Sequence, residues 1–237
     1  HPIESAFSWR GVWWFSAGLA GLAFIFYGSV VTAPEENAVH QEIKKASVPK
    51  VSISEAFKNP AVWLLALCHL GFSIRTGYES WAPTFYEEVH SVLPAISNFY
   101  GSLAAIASLP ACIGAGWLFD KIKKRREVLF LAAVLVTLIS TQSFTLRSSW
   151  IAPFMIVIGF VSGLIPGTIF SLTSEVAKSP AHTPMSIALV NLFSFTGVLA
   201  SPPIYGAFIE TFGWVSGTIP VMTGALMMVL ASGMLMK

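Results

Sequence analysis

Residues 150–172 read WIAPFMIVIGFVSGLIPGTIFSL, an apolar run without a single charged side chain. As a helix rising 1.5 Å per residue, a run of this length crosses a hydrocarbon core about 30 Å thick. A helix is also what hydrocarbon demands, because each backbone amide must find its partner within the segment. The alternation expected of a membrane barrel strand is missing from it. Six further stretches pass the same test: Gly11 to Val31, Pro60 to Ala82, Ile96 to Leu118, Val128 to Leu146, Ser186 to Phe208 and Trp214 to Met236. The fold class expected is an all-α membrane protein, a polytopic bundle of about seven transmembrane helices.

Composition points the same way. Hydrophobic residues make up 54% of the chain and charged residues 11%, too little polar surface to coat a water-soluble globule. The net charge of +2 gives no reason to expect a nucleic-acid partner. Cys68 and Cys112 both fall inside apolar runs, so they are expected to be ordinary buried thiols, with no disulfide framework, metal site or cofactor. The chain starts at His1, and no signal segment precedes the first apolar run, so further residues are expected upstream.

The basic residues suggest how the chain is threaded. Lys44, Lys45, Lys50 and Lys58 lie between the first and second crossings, Lys121, Lys123, Lys124, Arg125 and Arg126 between the third and fourth, Lys178 between the fifth and sixth, and Lys237 at the end. Against these, the other side holds only Arg10 and Arg147, while Arg75 lies within a crossing. Cytoplasmic loops collect Lys and Arg, so the rich side is expected inside the cell. That places the N-terminus of this chain outside and its C-terminus in the cytoplasm, in a plasma or inner membrane. The parity suits a chain cut after an odd number of earlier crossings.

The long connection Thr32 to Asn59 carries PEEN, QEIKK and SVPK, which cannot bury apolar surface. It is expected to be a linker. Near its end Ser52 and Glu55 have capping-box spacing, and Pro60 suits the first turn of the next helix.

Between the third and fourth crossings stands Gly116-Trp117-Leu118-Phe119-Asp120-Lys121-Ile122-Lys123-Lys124-Arg125. This segment resembles the cytoplasmic-loop signature of the major facilitator superfamily: a Gly, an apolar pair, an Asp and a basic cluster. The family pattern has a Gly where Lys123 stands. Matching the second copy of that signature implies that the crossings are helices six to twelve of the family. Residues 1–31 would then be the last helix of the N-terminal half, 32–59 the cytoplasmic central loop, and 60–237 a C-terminal six-helix domain forming one half of the fold. The resemblance implies an N-terminal transporter half missing from this chain. Ser8-Trp9-Arg10 and Phe212-Gly213-Trp214 look like equivalent positions in two repeats. The run Gly197 to Gly206, with Pro202 and Pro203, resembles the family's eleventh helix. Tyr78 to Tyr86, with its Trp, Pro and Thr, resembles the seventh-helix ending of organic-anion and cyanate-permease-like members.

Several residues are candidates for function. Gly116, Asp120, Lys121 and Arg125 form a candidate gating loop, in which Asp120 pairs with neighbouring cations and locks one face of the bundle. The alternative is that the basic run only fixes topology and meets anionic lipid. Counting from Pro60, His69 falls about 14 Å, Arg75 about 22 Å and Glu79 about 28 Å along the second crossing. Ionisable groups at such depth are costly and face a cavity or each other. Arg75 and Glu79 are spaced i, i+4, so they form either an internal ion pair or an anion site in which Glu79 holds or replaces the substrate. Tyr78 and Asn191 are further candidate substrate contacts, and Glu79 and His69 candidate proton carriers. Asn98, Tyr100, Gln142, Ser194 and Thr196 either line a cavity or bridge helices. Gly159, Gly163 and Gly167 repeat every four residues and permit close helix packing. Pro110 and Pro166 are candidate kinks.

The function implied is secondary active transport of a small solute, an organic or inorganic anion, by alternating access, as proton-coupled symport or exchange. The partners are that solute and the lipid bilayer. A seven-helix receptor or a non-transporting scaffold is the alternative. A retinal sensor is excluded, because no crossing contains a lysine. GxxxxGK[ST], HExxH and GxSxG are all missing, which leaves no sign of ATP as driver or of an enzyme.

Overall fold

The computed structural model describes residues 2–30, 57–121, 124–177, 179 and 181–236, with backbone alone for 2–9, 12 and 116–121. The helices are α1 (Pro2–Val30), α2 (Pro60–Thr76), α3 (Tyr78–His90), α4 (Pro94–Lys121), α5 (Arg125–Ser140), α6 (Ile151–Val176), α7 (Thr183–Phe212) and α8 (Thr218–Met234). No strand occurs among the described residues. The bundle is all-α, as the apolar runs require. The chain divides into two compact units, residues 1–50 and 51–237. Within the first, α1 is one uninterrupted helix.

Five helical segments among the described residues are long and apolar enough to cross a membrane: Trp13–Val30, Pro94–Ala115, Ser148–Val176, Thr183–Phe212 and Trp214–Met234. The other two expected crossings differ from the simple picture for identifiable reasons. Pro60 to Ala82 is two helices rather than one, with a break at Gly77. There the amide of Gly77 turns back to the carbonyl of Ile74 at 3.1 Å, an i to i−3 bond that tightens the last turn of α2. The stretch Val128 to Leu146 is helical only to Ser140, and turns carry the chain on to Thr145.

Local chemistry explains where the helices start and stop. The side chain of Asn59 accepts from the amide of Ala61, and Pro60 fills the first helical position, where its missing N–H costs nothing. Asn59 is therefore the cap of α2, four residues past the Ser52 and Glu55 pair, which lies outside the described residues. Gly213 ends α7 with φ +83°, a left-handed conformation that a side chain would disfavour.

In the second unit α2 is the central element, packed on α7, α8 and α6; α4 packs along α6, and α5 lies against α6 and α8. Small residues let these axes approach. A Cβ on Gly71 would stand 2.5 Å from the carbonyl oxygen of Gly224 in α8, and one on Gly163 2.6 Å from that of Ser108 in α4. Of the expected glycine stripe, Gly159 and Gly163 meet α4, while Gly167 is exposed. Both α4 and α6 continue as helices through Pro110 and Pro166.

Two buried clusters divide the core. One is aliphatic, built around Val62, Leu65, Leu129, Ile165, Val190 and Met228. The other is largely aromatic, built around Tyr78, Phe85, Tyr86, Phe144, Phe154 and Tyr205. Between them along α2 come His69, Ser73 and Arg75, the buried polar stretch that positions the site.

Candidate functional site

Arg75 is 1% exposed. Its Nη2 donates to Oε1 of Glu79 at 3.0 Å, and the guanidinium carbon lies 5.6 Å from the centre of the Phe72 ring. The i, i+4 spacing that suggested this pair survives the break at Gly77, because Gly77 keeps right-handed helical angles (φ −54°, ψ −26°). Nε and Nη1 of Arg75 have no hydrogen-bond partner among the described residues. A buried guanidinium with two unfilled donors is costly, and its planar fork matches a carboxylate or phosphate.

Glu79 is the exposed member of the pair. It lines a cleft of about 330 Å³ together with Phe72 and Thr76, and across from them Ser108 and Cys112 of α4 and Ser162 of α6. The cleft therefore presents a carboxylate with a cation directly behind it, hydroxyls opposite, and an aromatic wall. Such an arrangement can exchange the internal carboxylate for an external anion, because both would use the same donors.

One turn below, a polar chain ties α2 to α7. Ser73 Oγ and Ser194 Oγ are 2.9 Å apart, and Ser194 Oγ is 3.3 Å from Nε2 of His69. The His69 ring meets Phe170 edge-on at 5.4 Å, and its Nδ1 has no partner among the described residues. Ser194 was expected to line a cavity or bridge helices, and it bridges.

The other candidates lie apart from the cleft lining. Tyr78 is fully buried, hydrogen bonded through its hydroxyl to that of Tyr86, and both hydroxyls face the sulfur of Met155. Asn191 is half-buried on α7. The side chains of Gly116, Asp120 and Lys121 lie outside the described residues, though their backbone continues α4 as helix to Lys121. Arg125 begins α5, where its Nη1 donates to Ser171 Oγ at 2.9 Å and stands 3.8 Å from Glu175. Close by, Arg126 donates to the carbonyl of Leu235 at 3.1 Å, and Asn59 donates to that of Val176 at 2.7 Å. One end of the second unit thus gathers the basic loop and the ends of α6 and α8.

Tyr205 was not singled out from sequence. Its hydroxyl donates to the carbonyls of Ile74 and Arg75, and no local sequence signal announces a contact that spans so many residues between two helices.

Against known families, the model described as Major Facilitator Superfamily matches residues 3–184. The chain belongs to the major facilitator superfamily. It is thus an integral membrane protein, and the signature around Asp120 falls within the matched region. A curated relative, the glycerol-3-phosphate transporter of Bacillus subtilis (strain 168), is 24% identical over 211 residues, which are 81% of this chain and 45% of the relative. The chain spans less than half the length of that relative.

Proposed function

We propose that this chain forms part of a secondary active transporter of a small anion in the cell membrane, with Arg75 as the anion-binding residue and Glu79 as its internal surrogate. The observation that carries this reading is a guanidinium that is buried, unfilled at two donors, and held by a carboxylate that itself lines a cleft. Membrane-embedded charges are retained at a cost, and a binding role accounts for that cost better than stability does. Support comes from the family and from the relative's printed substrate, since glycerol 3-phosphate is an organic phosphate anion.

In this reading residues 60–237 are one half of the transporter, residues 32–59 the cytoplasmic link, and residues 1–31 the last helix of the other half. The opposing wall of the site belongs to the part of the family fold that this chain does not span. The end holding Arg125 and Arg126 faces the cytoplasm, following the distribution of basic residues. Alternating access arises as one half rocks against the other. Proton coupling would use Glu79 or His69, whose positions beside Arg75 and Ser194 let a proton change the local pairing. Asn191 and Tyr78 remain secondary proposals, as neither lines the cleft.

The test is uptake of labelled glycerol 3-phosphate and inorganic phosphate by the full-length protein with Arg75 changed to Gln. Transport is expected to fall at least about tenfold, the loss of one charge-assisted contact or more. Unchanged uptake and affinity for every anion tried would overturn the assignment.

A further inference from the structure

At the end of the second unit opposite Arg125 and Arg126, α5 gives way to turns, and the short 3₁₀ segment Ser148–Trp150 leads into α6. A trench of about 600 Å³ runs between these elements. Its lining includes Ile139, Leu146, Pro153, Phe154 and Val157, together with Arg147 and the exposed Trp150.

Three observations point to one occupant. The guanidinium of Arg147, exposed at the trench, makes no hydrogen bond or ion pair with any described residue. No acidic side chain lines the trench, so nothing in it would repel an anion. The apolar wall continues down α6 through Val157, which is about half exposed and lies in a segment long and apolar enough to cross a membrane. A cation and an interfacial tryptophan above an apolar trench match the two parts of a phospholipid.

We infer that this trench is a binding site for a phospholipid, with the phosphate on Arg147 and one acyl chain along Leu146, Pro153, Phe154 and Val157. The headgroup contact is a charge-assisted hydrogen bond at the edge of the membrane, where the dielectric is lower than in bulk water. The chain contributes by covering apolar side chains at the junction of α5 and α6. This site is separate from the Arg75 cleft and stands whether or not that cleft binds an anion.

The experiment is lipid titration of the detergent-purified protein by native mass spectrometry and by thermal melting, with dioleoylphosphatidylglycerol, dioleoylglycerol and inorganic phosphate as probes. The phospholipid is expected to bind and raise the melting temperature, and Arg147→Gln to weaken binding about tenfold, the scale of one charge-assisted contact. Val157→Trp, which fills the trench and leaves Arg147 in place, is expected to abolish binding; monodispersity of each variant by size-exclusion chromatography identifies misfolding. Lipid binding as tight as the parent's in either folded variant would overturn the proposal. So would dioleoylglycerol binding as tightly as the phospholipid, or inorganic phosphate alone giving the same stabilisation. If one variant misfolds, the other decides the question.

Discussion

The hydroxyl of Tyr205 on α7 lies 3.2 Å from the carbonyl oxygen of Arg75 and 3.1 Å from that of Ile74. Those carbonyls belong to the last turn of α2, where the break at Gly77 disturbs the regular i to i−4 ladder. One proton shared between two acceptors thus brings from a neighbouring helix a donor for the Arg75 carbonyl and a second one for that of Ile74, which also accepts from the amide of Gly77. The break itself is held tight, because a Cβ on Gly77 would stand 2.5 Å from that of Ser201. Arg75 therefore has its backbone clamped by α7 and its side chain by Glu79.

Changing Tyr205 to Phe keeps the ring in the aromatic cluster and removes only the hydroxyl. The two carbonyls lose a partner in a buried, low-dielectric place, and the expected cost is about 1–2 kcal/mol. Thermal melting in detergent measures it. A variant as stable as the parent would mean that the carbonyls were already satisfied.

Much of this was legible in the chain because membranes simplify the problem. The apolar runs placed α4, α6, α7 and α8 with ends close to those observed, since only a helix satisfies a backbone in hydrocarbon, whereas α1 starts well before the expected Gly11. The Arg75 and Glu79 pair was legible from spacing alone. The break at Gly77 was not, because a glycine amid Phe, Ile, Tyr and Trp reads as an ordinary membrane helix residue; its break depends on Ser201 and Tyr205, far away in sequence. The same holds for the cleft, whose far wall comes from α4 and α6. Long-range partners leave no periodicity to read.

Ser194 is the middle of the chain that joins His69 to Ser73. Ser194→Ala should leave both neighbours short of a partner at the α2 and α7 contact and cost about 1 kcal/mol. A Ser194→Thr variant keeps the hydroxyl and should restore most of that stability. Equal melting temperatures for the Ala and Thr variants would show that the hydroxyl contributes nothing.

The α4 and α6 contact rests on close approach. Gly163→Val would drive side-chain atoms into the carbonyl of Ser108 and the methyl of Ala111, and overpacking of that kind costs about 1–3 kcal/mol. Gly167→Val, one turn along the same stripe but exposed, should change stability far less. The comparison separates packing from the general effect of replacing a helical glycine, because the second variant carries only the latter. Similar losses at both positions would contradict the observed interface.

Glu79 offers the sharpest link between the stability of the bundle and the proposed site. Its carboxylate is the one hydrogen-bonding and charged side-chain partner of Arg75 among the described residues, so Glu79→Ala leaves a buried guanidinium without a counter-charge. Breaking a fully buried pair costs about 3–5 kcal/mol. Glu79 is 37% exposed, so water softens the loss, and about 1–3 kcal/mol is expected. If the guanidinium is the anion site, phosphate added at matched ionic strength should replace the missing carboxylate and raise the melting temperature of the variant more than that of the parent. In the parent Glu79 competes for the same donors, so the gain should be smaller. The double variant Arg75→Gln, Glu79→Ala has neither charge and should lose the phosphate response altogether. Melting curves of the three proteins against phosphate concentration decide the matter: an equal phosphate effect in all of them would place the anion elsewhere, whatever the stability of each variant.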